Sequence, residues 1–196
     1  MDFIATARNK LDELRRRDPA FRIFGAAHHR YLLRPPEPER ELAASERSYG
    51  IVLPAEYRAF LRELGNGGAG PFYGLFQFVG EDSENITDIG ALADPFLHRD
   101  AWAPAPLDEE ASREERDAYD LRYFEARGSA GMLYLCHMGC AMRTFLVVNG
   151  PCAGQVWYDG SVDYAGVEPL LRADGVRHMF ASWYLEWLDA SLAELG

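Results

Sequence analysis

Lysine is nearly missing from this chain, with Lys10 alone against nineteen arginines in 196 residues. We read that as genomic codon bias without functional meaning. Long apolar runs are missing too. None approaches the ~20 residues needed to cross a bilayer, so no membrane association is expected and the chain reads as soluble. Cysteine is scarce and odd in number, limited to Cys136, Cys140 and Cys152, which argues against a disulfide framework and agrees with a reducing compartment. The opening MDFIATARNKLDELRRR is charged and helical in pattern, without the apolar centre and small-residue cleavage site of a secretory signal. The expected location is therefore cytoplasmic. Catalytic signatures are also absent: there is no H-E-x-x-H, no G-x-S-x-G, no P-loop and no dinucleotide fingerprint. What is present is 48% hydrophobic and 13% aromatic residues, enough to exclude a mainly disordered chain and to build one substantial core.

The most ordered signal runs from Tyr49 to Phe78, YGIVLPAEYRAFLRELGNGGAGPFYGLFQF. Pro54 suits a first helical turn, where its missing N–H would have been unpaired anyway. Tyr57, Phe60, Leu61 and Leu64 follow at i, i+3, i+4 and i+7, an apolar stripe opposite Glu56, Arg58, Arg62 and Glu63. Gly65 is expected to end the helix in the left-handed conformation, and Asn66, Gly67, Gly68 and Gly70 to form a turn closed by Pro71. Successive N–H groups after such a glycine turn can cradle an anion, but the spacing matches no nucleotide-binding loop, and a cap and turn is the expectation. Phe72 to Val79 then reads as a buried strand.

This stretch resembles the SUKH superfamily, in particular its Smi/Knr-like branch of bacterial immunity proteins and fungal cell-wall-assembly regulators. The resemblance rests on the glycine-plus-LP entry, the E-Y-R-x-F-L helix, G-N-G-G and the Y-G-L strand. It extends to Gly128–Asp159 and to the closing F-A-S-W-Y-L-E-W-L-D, spanning roughly residues 25 to 190. These are fold motifs. They imply a non-catalytic binding protein: an immunity protein that neutralises a toxin domain, often a nuclease, or alternatively a regulator or scaffold of the fungal type. An enzyme of another class would need a pocket of convergent polar groups that one sequence does not display.

Taken in order, Phe3, Ile4, Ala7, Leu11 and Leu14 predict a helix over residues 2–17 ended by Asp18-Pro19, with Arg15, Arg16 and Arg17 complementing its dipole. Residues 21–34 predict a short strand around His29–Leu33, on which His28 and His29 would point to opposite faces and could not serve one site. A second helix is expected from Pro38 to a stop at Gly50, the third is the one above, and Asp108–Arg127 suits an exposed helix held by Tyr119, Phe124 and Tyr123. Phe96 and Trp102 are expected to tuck onto the core. Beyond Gly128, strands are expected at Met132–Met138, Met142–Asn149 and Gln155–Tyr158, separated by Gly139-Cys140 and Asn149-Gly150 turns, with apolar residues on both faces. Met179–Leu195 closes as a helix with a wide apolar stripe. The expected architecture is a single α+β domain over 1–196, a largely antiparallel sheet packed by N-terminal helices and a C-terminal helix, with an acidic insertion at about 81–127.

Two clusters invite chemistry. Cys136, His137, Cys140 and Cys152 have the residue types of a zinc site but a poor spacing, since strand neighbours face opposite ways. No metal and no cofactor are expected, and the cysteines read as structural. The second cluster follows from charge. The net charge is −11, and residues 81–127 hold five basic and fourteen acidic groups against twelve and ten in 1–80. Such a field repels nucleic acid and anionic membrane and speeds encounter with a basic partner, although acidity can also serve solubility alone. The candidate partner-binding residues are Asp108, Glu109, Glu110, Glu114, Glu115 and Asp117, with Tyr119 and Tyr123 as aromatic anchors for a basic toxin domain.

Overall fold

The computed structural model describes residues 2–78, 85–108 and 110–196. Its first helix, α1 (Phe3–Arg17), begins where Asp2 accepts hydrogen bonds from the Ile4 and Ala5 N–H groups and buries Ile4, Ala7, Leu11 and Leu14. α2 (Ala26–His29) follows as a single turn, then α3 (Glu39–Tyr49), which stops at a left-handed Gly50 as expected, and α4 (Ala55–Glu63), which buries Tyr57, Phe60 and Leu61. After a long irregular stretch come α5 (Arg113–Arg127), the strands β1 (Met132–Gly139), β2 (Met142–Val147), β3 (Val156–Asp159) and β4 (Val167–Pro169), and finally α6 (Phe180–Glu194). The four strands form one antiparallel sheet in sequence order. The fold is α+β.

The sheet has two apolar faces with different covers. On the first, Leu133, Leu135, Leu146 and Val156 pack against the apolar stripes of α1, α4 and α6. Phe180 is the hub of that layer: its ring lies 4.9 Å from Tyr57, 5.3 Å from Phe60 and 6.0 Å from Tyr184. On the second face, Met132, Tyr134, Phe145, Val147 and Trp157 are covered by Phe96 and Trp102 from the irregular stretch, with Tyr123 of α5 packed on Trp102. Phe96 and Trp102 do tuck onto the core, and the acidic stretch thereby serves as the second cover.

Several local expectations change. The strand expected over Phe72–Val79 is reduced to bridges at Leu75, because Phe72 (φ 55°) and Gly74 (φ 97°) turn the backbone out of the extended region; Val79 lies outside the described residues. The strand expected at His29–Leu33 is a helical turn followed by two residues at positive φ, Arg30 and Tyr31, and only Leu33 makes a bridge, to Gly68. Gly65 is not the left-handed stop of α4. It is required because a Cβ there would lie 2.5 Å from the Arg34 carbonyl. α5 starts at Arg113, not near Asp108, behind a capping box in which Ser112 and Glu115 satisfy each other's backbone N–H. β4 was not anticipated: three residues carry too short an alternation to read. The β1–β2 turn places Cys140 (φ 49°) and Ala141 (φ 61°) at positive φ, the requirement of a two-residue hairpin loop. Both sheet edges are occupied, β1 by Leu75 and β4 by Trp102, so neither presents a long free strand to a partner.

Candidate protein-binding surface

α5 carries most of the candidate residues, and its seating decides which of them face outward. Tyr123 is buried, its hydroxyl accepts the Gly166 N–H, and its ring packs on Trp102 and Tyr164. It holds the helix down. As an anchor for a partner it is therefore corrected: the ring is already spent on the fold. Tyr119 is half-buried and donates its hydroxyl to the Ala105 carbonyl.

Asp108 and Glu110 lie ahead of the helix in an exposed turn, where the Asp108 carboxylate accepts the Glu110 N–H. Glu109 lies outside the described residues. Glu114 and Asp117 are exposed on the helix, Asp117 with Arg113 at 3.9 Å. Glu115 is exposed, but its carboxylate accepts the Ser112 hydroxyl and N–H, and these hydrogen bonds lower its pKa. The acidic strip is also diluted. Arg113, Arg116, Arg122 and Arg127 lie on the same helix as Glu114, Glu115, Asp117, Asp120 and Glu125. What the structure brings together is a mixed-charge surface whose negative excess comes from the turn before α5.

Beside that surface runs a groove of about 720 Å³ between α5 and the 104–107 segment, to which Asp117, Tyr119, Asp120, Asp163 and Tyr164 contribute together with Arg113 and Arg116. Tyr164 donates to the Asp120 carboxylate at 2.6 Å, which raises the pKa of the phenol. Three carboxylates, two arginines and two phenol rings line one groove, which leaves a small negative excess beside ring faces that suit a cationic side chain with an apolar stem. Sequence reading missed two exposed apolar residues on α5, Leu121 (64% exposed) and Phe124 (53%), which stand among the charges of that helix. Phe124 was expected to help hold the helix to the core. The i, i+3 spacing of Leu121 and Phe124 was visible in the sequence, but which stripe of α5 faces the sheet was not.

The cysteine cluster is dispersed. Cys136 lies in the first-face core with its Sγ 2.9 Å from Thr144 Oγ1, and burial pushes its thiol up to about 12. Cys152 belongs to the second-face core and Cys140 is exposed at the hairpin turn. Among the described residues no group of three His, Cys, Asp or Glu could hold a metal ion. His178 lies between Ser182 (3.1 Å) and Glu186 (3.3 Å), a superficial likeness to a hydrolase triad. Ser182 accepts the Met179 N–H and donates to the Met179 carbonyl, so its hydroxyl proton is committed to the cap of α6 and not to the imidazole. His28 and His29, expected to diverge on a strand, both border one cavity because they sit on a helical turn.

No described helix is long and apolar enough to cross a membrane. No curated protein and no solved structure matches the chain. A sequence model of the SMI1 / KNR4 family (SUKH-1) matches residues 36–182, from just before α3 into the first turn of α6 and hence across the whole sheet, its second cover and α4 of the first, with α1 and most of α6 outside the match. That match covers well over half of the chain, and with the α+β architecture it establishes that this protein belongs to the SMI1 / KNR4 family (SUKH-1).

Proposed function

We propose that this chain is a non-catalytic protein-binding domain of the immunity type, which neutralises a basic bacterial toxin domain such as a nuclease in the cytoplasm. Family membership supports the binding role. The observation that carries the choice of surface is the groove beside α5: Asp117, Asp120 and Asp163 outnumber Arg113 and Arg116 there beside Tyr119 and Tyr164, while Leu121 and Phe124 are exposed on the same helix. A toxin that cuts nucleic acid presents positive charge to phosphate, and an inhibitor covering it gains from carboxylates held where phosphates would lie. Asp108, Glu110 and Glu114 extend the negative field toward the approaching partner, and Leu121 and Phe124 supply the apolar contact that charges alone do not.

The test pairs the chain with any toxin domain found encoded beside its gene. Co-expression should protect cells, and the purified pair should associate faster at low than at moderate salt. Replacing Glu110, Glu114 and Asp117 by serine should slow association most at low ionic strength, whereas Leu121→Ser with Phe124→Ser should speed dissociation. Protection that survives all five substitutions would place recognition elsewhere, and a chain that neither binds nor protects would remove the immunity reading altogether.

A further inference from the structure

On the opposite side of the molecule, where the α2 turn and the 68–76 loop meet the edge of β1, a cavity of about 410 Å³ has a lining unlike the rest of this acidic protein. Among the described residues it includes three histidines, His28, His29 and His137, together with Arg34 and Tyr73, and no carboxylate. Arg34 is exposed, with no hydrogen bond or ion pair through its side chain among the described residues. The Tyr73 ring sits between the imidazoles, 6.2 Å from His28 and 5.7 Å from His137. The hydroxyl of Tyr73 and the ring nitrogens of His28 and His137 make no hydrogen bonds among the described residues. Leu32, Leu33 and Phe76 complete an apolar wall.

His29 supplies the second, independent observation. It is only 8% exposed, and its Nδ1 accepts the Tyr31 N–H at 3.0 Å. That bond fixes the proton of the neutral imidazole on Nε2. Burial, with the neighbouring His28, lowers the pKa of His29 to about 4, so at neutral pH the ring stays uncharged; the Gly70 carbonyl opposes this shift without reaching hydrogen-bond geometry. His29 Nε2 is a buried donor beside the Gly70 backbone, so this ring forms an uncharged floor to the cavity.

We propose that this cavity binds an oxyanion carried on a small apolar or aromatic body, an aromatic carboxylate or phosphate monoester. Arg34 offers the fork of donors that matches either group, and Tyr73 with the neighbouring imidazoles of His28 and His137 offers ring faces. The described lining residues are neutral or basic, which favours an anion over the rest of a surface of net charge −11. The volume lies within the ~300–1,000 Å³ usual for small-molecule sites.

The experiment is an amide and imidazole NMR titration of the full chain with benzoate, phenyl phosphate, inorganic phosphate and the cation benzylamine. Benzoate or phenyl phosphate should give saturable shifts at Gly68, Gly74 and His137, at a Kd of about 1 mM or better for an unoptimised fragment. Benzylamine should not. Arg34→Gln, at an exposed position, should leave the melting temperature unchanged and weaken binding about tenfold or more. His137→Gln should weaken it to a lesser degree. If inorganic phosphate saturates the site as well as the aromatic anions, both aromatic groups are irrelevant and the proposal fails in its ligand class. No saturation by either aromatic anion, equal binding of benzylamine, or unchanged affinity in Arg34→Gln would overturn it. Loss of the toxin partnership proposed above would leave these outcomes untouched.

Discussion

The two faces of the sheet are equally apolar but are covered in different ways. The first is covered by α1, α4 and α6, whose backbone groups bond within each helix, so their side chains are free to pack. The second is covered mainly by irregular chain between residues 85 and 108, whose carbonyls must find donors elsewhere. Side chains provide them: Asn149 bonds Ala93, Cys152 reaches His98, Arg177 reaches Arg99, and Tyr119 bonds Ala105. Tyr134, Asp159 and Arg127 form a buried polar cluster on the same side, with the Tyr134 hydroxyl donating to Asp159 and Arg127 donating to Tyr134. The difference teaches where plasticity resides. A helix layer is held by area and fails as a unit, whereas an irregular cover is held by separate side-chain bonds and can loosen locally.

The strongest way to break the comparison is at the hub of the first face. Phe180→Ala should cost about 3–5 kcal/mol, and denaturant melts should show the loss for the whole domain. Trp183→Ala, also buried, should do the same, while Trp187→Ala, at a half-buried position, should cost less. A first-face variant that lost only one helix would contradict the unit behaviour.

The next effect is set by pH. His29, packed against Trp187 of α6 with ring centroids 5.8 Å apart, has its pKa lowered to about 4 by burial, against a usual 6.5. Between these values the unfolded chain binds a proton that the folded chain refuses, so stability is complete above about pH 6.5 and falls toward pH 4, by at most about 3 kcal/mol. Urea melts across that range should show the slope, and His29→Gln should flatten it. An unchanged slope in the variant would assign the pH dependence to other groups.

Smaller effects test the second face. Arg177→Ala removes donors to the Arg99 carbonyl and the Asp100 carboxylate and should cost about 1 kcal/mol. Hydrogen exchange should quicken around residues 95–103 while the protection of β1 and β2 is kept. Ser112→Ala removes the α5 capping box and should cost ~0.5–2 kcal/mol, confined to the first turn of that helix. Least of all, serine at Glu110, Glu114 and Asp117 should move stability by no more than about 0.5 kcal/mol per site, because all three are exposed. Any larger loss would mean that the acidic residues serve the fold and not a partner.

The sequence by itself determined the elements whose pattern is local and long. The 3.6-residue apolar stripes of α1, α4 and α6 and the short apolar runs on either side of the Gly139-Cys140 turn imply helices and strands wherever they are placed, because each has surface that only burial can satisfy. It also located the acidic surplus that marks the candidate surface. Only the tertiary structure decided that Tyr123 turns inward while Leu121 and Phe124 turn outward, since an amphipathic helix with aromatics on several sides does not state which stripe meets the sheet. Only it replaced the Phe72–Val79 strand by single bridges, because a positive φ at Phe72 is stabilised by contacts remote in the chain. The histidine cavity was likewise hidden: His29 and His137 are more than a hundred positions apart, and the bond that fixes the His29 proton on Nε2 exists only once Arg30 and Tyr31 have turned the chain back.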